Sequence, residues 1–528
     1  MRSIVSYVSS RCRPARPGLL GALLGLVVVG CLASCGPERA GSWSAPSPSE
    51  GCLAVGPAES AQGPRVRAPE RLEVAVTGAV DASDAPAPRG ADESFLFRLL
   101  YEPLVHLDCR GRRYPALASA WAKEDGGRRW VFTLRPGARF WDGTPVTARD
   151  VERSWRSVRW RGAPPREWPP QGVAAVGPRT VAVELPEPTD RVPSVLARSE
   201  LAVVRRSPGE PWPVLGTGPY RVAETSTLPS GGTGRSTSGS ALPIRSLVLR
   251  ATEESKGLPP TIRVRVAPGE DGRDLLDGGA GLLLTGDRAT LDYARRRPGL
   301  SVRRLPWNRT YVFFGSAVVP TAGSEAGLPV SFLETLARDA VPVEARAAPR
   351  SASGSEPPSS GFGPEAPGGR PPLARELGAP WIGYPAGDAV GRALAGRLVA
   401  LAAAPASTRD PEVEGALRVL GLARAPRGLR AAPLDPESLA GSAALRGAGV
   451  VRALAAAPRD SGGAGCVGVL GEGPERSDEG KAGGAAGDRR AGVPLVQTRR
   501  SAILRAQGPS VAIGIDCDGT PFIVDEDR

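Results

Sequence analysis

Residues 99–155, LLYEPLVHLDCRGRRYPALASAWAKEDGGRRWVFTLRPGARFWDGTPVTARDVERSW, decide the fold. The stretch predicts a short helix and then a hairpin whose first arm runs Tyr101–Leu107 and turns at Asp108-Cys109-Arg110-Gly111. A short helix ending at Trp121 is expected next, then a strand of period-2 alternation over Trp130–Leu134. Pro136-Gly137 and Asp142-Gly143 are turns. Thr147 is placed to cap a helix carrying Val151 and Trp155 four apart on one face, because its hydroxyl can accept a free amide of the first turn. The segment carries wide aromatic surfaces and no arrangement suited to covalent chemistry.

The order of LYEPLVHLD, YPALASAW, WVFTLRPGARFWDGTPVTARDV and, further on, Gly216-Thr217-Gly218-Pro219-Tyr220-Arg221-Val222 resembles the extracytoplasmic solute-binding proteins of family 5, the receptors of oligopeptide and dipeptide ABC transporters. The resemblance implies an α/β chain of the two-lobed periplasmic-binding-protein type II kind, with mixed sheets and a hinge, lobe I being elaborated by an extra subdomain at about 100–170. It is clear over 71–225, fair over 245–315 and 490–528, and weak between.

Outward from that block, the first 34 residues hold Arg2, Arg11, Arg13 and Arg16, no acid, and an apolar run Leu19–Val29 too short to span a bilayer. Leu32-Ala33-Ser34-Cys35 resembles a bacterial lipobox, so 1–34 reads as a lipoprotein signal peptide and Cys35 as the lipidation site. Val28-Val29-Gly30-Cys31 is a weaker competitor. Residues 35–70, rich in Ser, Pro, Gly and Ala, read as a flexible tether. Lobe I is expected over 71–305, beginning with the strand at Arg71–Val76. Lobe II is expected over 306–490 with low-complexity insertions at 350–372 and 461–492, and 491–528 as the return to lobe I.

Composition narrows the function classes. The formal net charge of +12 is almost all arginine, since Lys123, Lys256 and Lys481 are the only lysines, and no basic run interleaves with aromatics, which argues against a nucleic-acid partner. Four cysteines beyond Cys12, Cys31 and Cys35, namely Cys52, Cys109, Cys466 and Cys517, suit an oxidising compartment and allow three connectivities. Cys109 and Cys517 sit in similar Asp-Cys-(Arg/Asp)-Gly turns and are the candidate pair; free buried thiols are the alternative. One histidine, His106, alternates in a strand and reads as packing, so no triad, catalytic residue, metal site or cofactor is expected.

In the family's two-lobed arrangement the ligand sits between the lobes. That implies candidate contacts from the loop after the first strand (Thr77, Gly78, Asp81), from the crossing into lobe II (Trp307, Tyr311) and from the second-lobe pair Trp381 and Tyr384. The resemblance implies a lipid-anchored envelope protein, on the periplasmic side or at the cell surface, that captures a peptide or similar solute for an ABC permease. The alternative is an envelope lipoprotein that keeps the fold and acts as an interaction scaffold.

Overall fold

The computed structural model describes residues 53–55, 70–206 (without 159, 161–166, 169 and 171), 214–227, 243–252, 258–307, 309–315, 328–348, 381–434 (without 386–387 and 425–427), 449–455, 493–505, 512–516 and 520–524. The signal peptide with Cys35, most of the tether, the tracts 350–372 and 461–492, and Cys517 lie outside the described residues. Among the described residues no helix is long and apolar enough to cross a membrane.

Arg71–Val76 sits inside a seven-stranded sheet. The spatial order is Leu300–Arg304, Ser501–Arg505, Leu282–Thr285, Arg71–Val76, Thr261–Val266, Ile244–Ala251 and Tyr220–Thr227. Arg71–Val76 is parallel to both neighbours, with Val74 opposite Val264 and Leu282. Both faces are covered, which is why the strand interior is almost wholly apolar. Leu72, Val74 and Val76 pack with Ile262, Val264 and Leu282 against Phe95, Leu96, Leu99 and Leu100 of the helix Ala91–Leu100. On the opposite face Ala75, Leu283 and Ile503 meet Leu275, Leu276, Leu291 and Ala294.

The diagnostic block builds a separate core. Ala118–Glu124, Arg129–Leu134, Thr180–Glu184 and Gly172–Gly177 form a four-stranded antiparallel sheet in that order. Trp130, Phe132, Leu134, Val181 and Val183 pack under the helix Ala148–Trp155 through Val151 and Trp155. Thr147 caps that helix as expected, in a full capping box with Asp150. The helix expected to end at Trp121 is instead the strand Ala118–Glu124, with Trp121 opposite Phe132 and Ala118 opposite Leu134. Pairing with the neighbouring apolar strand supplies ladder hydrogen bonds, with one register shift between Ala118 and Ala120, and ring contact of Trp121 with Phe132, centroids 6.4 Å apart, and that tertiary term wins. Short helical turns, Val192–Val195 and Ser199–Leu201, follow the sheet.

The hairpin of Val105–Leu107 with Arg113–Pro115 holds its turn through the Asp108 carboxylate, which accepts from the amides of Arg110 and Arg112 at 2.9 Å each. Cys109 in that turn is disulfide-bonded. Asp108 forms a lone antiparallel bridge with Asp516, so the residues preceding Cys109 and Cys517 are side by side. Peptide mapping without reduction is therefore expected to recover a Cys109–Cys517 linked pair; linkage of Cys109 to Cys52 or Cys466 would overturn the assignment. Within the stretch read as a tether, Leu53–Val55 is a strand paired antiparallel with Ala512–Ile515.

A six-stranded sheet makes the second lobe, ordered Ala345–Ala347, Val493–Thr498, Arg309–Gly315, Gly449–Ala455, Trp381–Pro385 and Arg430–Leu434. The helix Ala389–Ala403 lays Val390, Leu394 and Leu398 on it, and Asp388 caps its first turn by accepting from Val390 and Gly391. Two short crossings join the lobes: from Arg304 to Arg309, and from Thr498 to Ser501.

Candidate functional site

The loop after Arg71–Val76 leaves the carboxyl end of a parallel strand, where open α/β sheets place ligands. Its shape is set by two buried acids at the start of the helix Ala91–Leu100, where negative charge also suits the helix dipole. Asp92 accepts from the Gly78 amide at 2.6 Å, and a Cβ at position 78 would lie 2.6 Å from that same carboxylate oxygen, so only glycine fits. Glu93 accepts from Asp81 N–H at 2.9 Å and from Arg89 N–H at 2.6 Å, while Asp81 caps the turn Ala82–Asp84 by accepting from Ser83. Burial pushes the Glu93 carboxyl up to about 7, against the pull of the two amides and with help from the neighbouring Asp84. Arg500, from the second crossing, bonds both Asp92 and the Leu284 carbonyl. The loop bearing Thr77, Gly78 and Asp81 is thus tied by side chains to the crossing.

The aromatic candidates stand elsewhere. Trp307 lies in the first crossing with the guanidinium groups of Arg346 and Arg499 stacked on it, 4.6 and 4.3 Å from its ring centroid. Tyr311 is buried and donates its hydroxyl to Asp388 at 3.0 Å, and burial raises its phenol above the ordinary range. Trp381 packs with Ala432, Leu434 and Val450, and Tyr384 faces the main core of lobe II. These three sit on inner strands of a covered sheet, where an aromatic side chain fills volume. Of the seven candidates the structure brings together Thr77, Gly78 and Asp81.

The Nδ1 of His106 lies 2.6 Å from Arg98 Nη1, and burial with the charges of Arg98 and Arg135 holds its pKa well below the usual histidine value. The neutral ring accepts from a cation that also pairs with Asp516 at 3.0 Å. Among the described residues no three His, Cys, Asp or Glu side chains gather as a metal site. Sequence reasoning missed the platform of Asp92, Glu93 and Arg500. The acidic pair opening a helix was visible, but its cation lies 408 positions away.

Residues 112–227, which hold the four-stranded sheet and the Gly216–Tyr220 turn, match the model of the bacterial extracellular solute-binding proteins, family 5 middle region. Residues 112–227 thus carry the family 5 middle region. The periplasmic murein peptide-binding protein MppA of Escherichia coli is 31% identical over 163 residues, 26% of this chain and 30% of its own length. The periplasmic oligopeptide-binding protein OppA of the same organism is 41% identical over 80 residues, 15% of this chain and 14% of its own length. The chain thus matches less than a third of the length of these curated relatives. The fold likeness is wider: NikA from Brucella suis, solved in complex with Fe(III)-EDTA, superimposes with a TM-score of 0.51 over 85% of this chain and 98% of its own, at 16% identity. The likeness in fold, two lobes of mixed sheet, therefore extends across most of the chain.

Proposed function

We propose that this chain is a lipid-anchored extracytoplasmic receptor, held at a bacterial membrane through Cys35, that captures a peptide or similar small solute between its lobes and passes it to an ABC permease. The observation that carries the reading is the presence of two separately cored lobes joined by two short crossings, with a glycine-containing loop tied to one crossing at the carboxyl end of the central strand. Few connections let two packed bodies rotate as units. The names of MppA and OppA, a murein peptide binder and an oligopeptide binder, support a peptide-like solute. The family is described by solute binding, and we read no catalytic role for His106 or for the buried acids. In this reading the loop Thr77–Asp81, whose Gly78 and Asp81 amides are held by Asp92 and Glu93, forms the lobe I wall of the cleft.

The test is a thermal-shift screen of the chain against pooled di- to penta-peptides, with native mass spectrometry of freshly purified protein. A ligand at a hundredfold excess over its Kd adds about 2.7 kcal/mol to native stability. A shift of several degrees, or a co-purified peptide mass, is the expected outcome. An empty protein that no pool stabilises would overturn capture and move the assignment to an interaction scaffold.

A further inference from the structure

The two crossings are not the sole ties between the lobes. The segment 341–347 belongs to lobe II: Val341 and Val343 pack in its core, and Ala345–Ala347 is the edge strand of its sheet. Yet its backbone pairs with lobe I. Val343 bridges Asp287, Glu344 N–H donates to the Gly286 carbonyl at 2.8 Å, and Arg288 N–H donates to the Pro342 carbonyl at 3.2 Å. Arg288, at the start of the lobe I helix Arg288–Arg296, reaches across to the carbonyls of Arg338 at 2.7 Å and Ala337 at 2.5 Å. Position 286 must be glycine for this approach, since a Cβ there would stand 2.9 Å from the Arg499 carbonyl and 3.2 Å from Val343 Cβ.

Glu344 closes the seam. One carboxylate oxygen takes Arg295 of the lobe I helix at 2.9 Å; the other takes Arg499 Nε of the second crossing at 3.0 Å and Ser501 Oγ at 3.4 Å. Arg304, at the head of the first crossing, stands 4.0 Å away. Arg499 also donates its amide to the Glu344 carbonyl at 3.2 Å and stacks on Trp307 of the first crossing. Arg346, two residues on, stacks on the same ring and bonds Gln497, which donates to Thr310 at 3.1 Å. One acid therefore gathers a lobe I helix, both crossings and a lobe II edge strand. Burial raises the Glu344 carboxyl, and the bonds and charges of Arg295 and Arg499 more than reverse it, as a working ion pair requires.

We propose that Glu344 is a positioning residue for solute capture: it welds the segment 341–347 to lobe I, adds a third, non-covalent crossing beside the two covalent ones, and so restricts the lobes to rotation about that line. The proposal rests on the two-lobe capture reading for its purpose, but its test needs no solute.

Hydrogen exchange of the full chain is followed at the amides of residues 288, 344 and 499 at low and at high salt, normalised to amides of Thr261–Val266. In the wild type these amides are expected to exchange slowly at low salt and faster at high salt, because screening weakens a part-exposed ion pair. Glu344→Gln is expected to speed them at least tenfold at low salt and to abolish the salt effect, with Glu344→Asp restoring part of it. Gly286→Ala, which wedges the seam without removing a charge, should speed exchange while keeping a salt effect. Rates in Glu344→Gln within twofold of wild type, or an unchanged salt effect, would overturn the proposal. If the peptide pools fail and the exchange pattern holds, capture falls and the seam stands; the reverse pattern removes only the seam.

Discussion

Gly216→Ala is expected to destabilise the chain by about 3 kcal/mol or more, read from chemical denaturation of the purified protein. An ideal Cβ at 216 lies 2.2 Å from the Leu100 carbonyl oxygen, 2.5 Å from Trp141 Cζ2 and 2.8 Å from Tyr101 Cδ1. None of these can yield cheaply. The Leu100 carbonyl ends the helix Ala91–Leu100 and accepts from the Gly218 amide at 3.0 Å, while the Gly216 carbonyl accepts from Trp141 N–H at 3.1 Å. Tyr101 and Trp141 are themselves stacked at 5.7 Å. The glycine lets lobe I and the four-stranded subdomain touch through three pieces of chain at once. The control is Gly137→Ala, whose Cβ meets nothing within 4 Å but whose φ is +80°, so that strain alone costs about 1–2 kcal/mol. If Gly216→Ala costs no more than the control, the close-packed joint is not what the glycine serves.

The second large effect is on pH dependence. Glu93 titrates near 7 in the folded chain against an ordinary value of 4.5, so the native state favours its protonated form. Below about pH 4.5 both states are protonated and the contribution is complete; as pH rises through 7 it is lost, a difference of about 3 kcal/mol. The groups facing Glu93 are the Asp84 carboxylate, the Arg89 guanidinium and the Asp81 and Arg89 backbone amides. Arginine-paired acids elsewhere act with the opposite sign: Asp271, held at about 2 mainly by the hydrogen bond from Arg273, loses its contribution as pH falls. The measurement is therefore the difference between wild type and Glu93→Gln from pH 4.5 to 7.5. Wild type is expected to lose about 3 kcal/mol relative to the variant across that window; parallel curves would show that the Glu93 carboxyl is not held protonated by its burial.

Local rules carried the fold a long way. Thr147, three residues before Asp150, was readable as a cap because both halves of the capping box lie within one turn. The strand at Trp130–Leu134 was readable from alternation, since one face of it is buried. The segment ending at Trp121 is a strand and not the expected helix, and its pairing with the strand at 130–134 decides this. The candidate site was less legible. The loop Thr77–Asp81 follows from being the first turn after a central strand, but Arg500, which bonds Asp92, lies 408 positions from its partner. Tyr311, Trp381 and Tyr384 show the converse: an aromatic residue on a strand carries no mark that separates a cleft wall from a core.

The place of Ser501–Arg505 in lobe I sets an order of assembly. The strand lies between Leu300–Arg304 and Leu282–Thr285, antiparallel to both, and its Ala502 and Ile503 are fully buried on opposite faces of the sheet. Lobe II, by contrast, draws all six of its strands from one uninterrupted span, Arg309–Thr498. A chain emerging amino end first can therefore gather every strand of its second lobe before its first lobe is able to close. Until residue 505 is out, Leu300–Arg304 has no neighbour in the sheet and Leu282–Thr285 has only one.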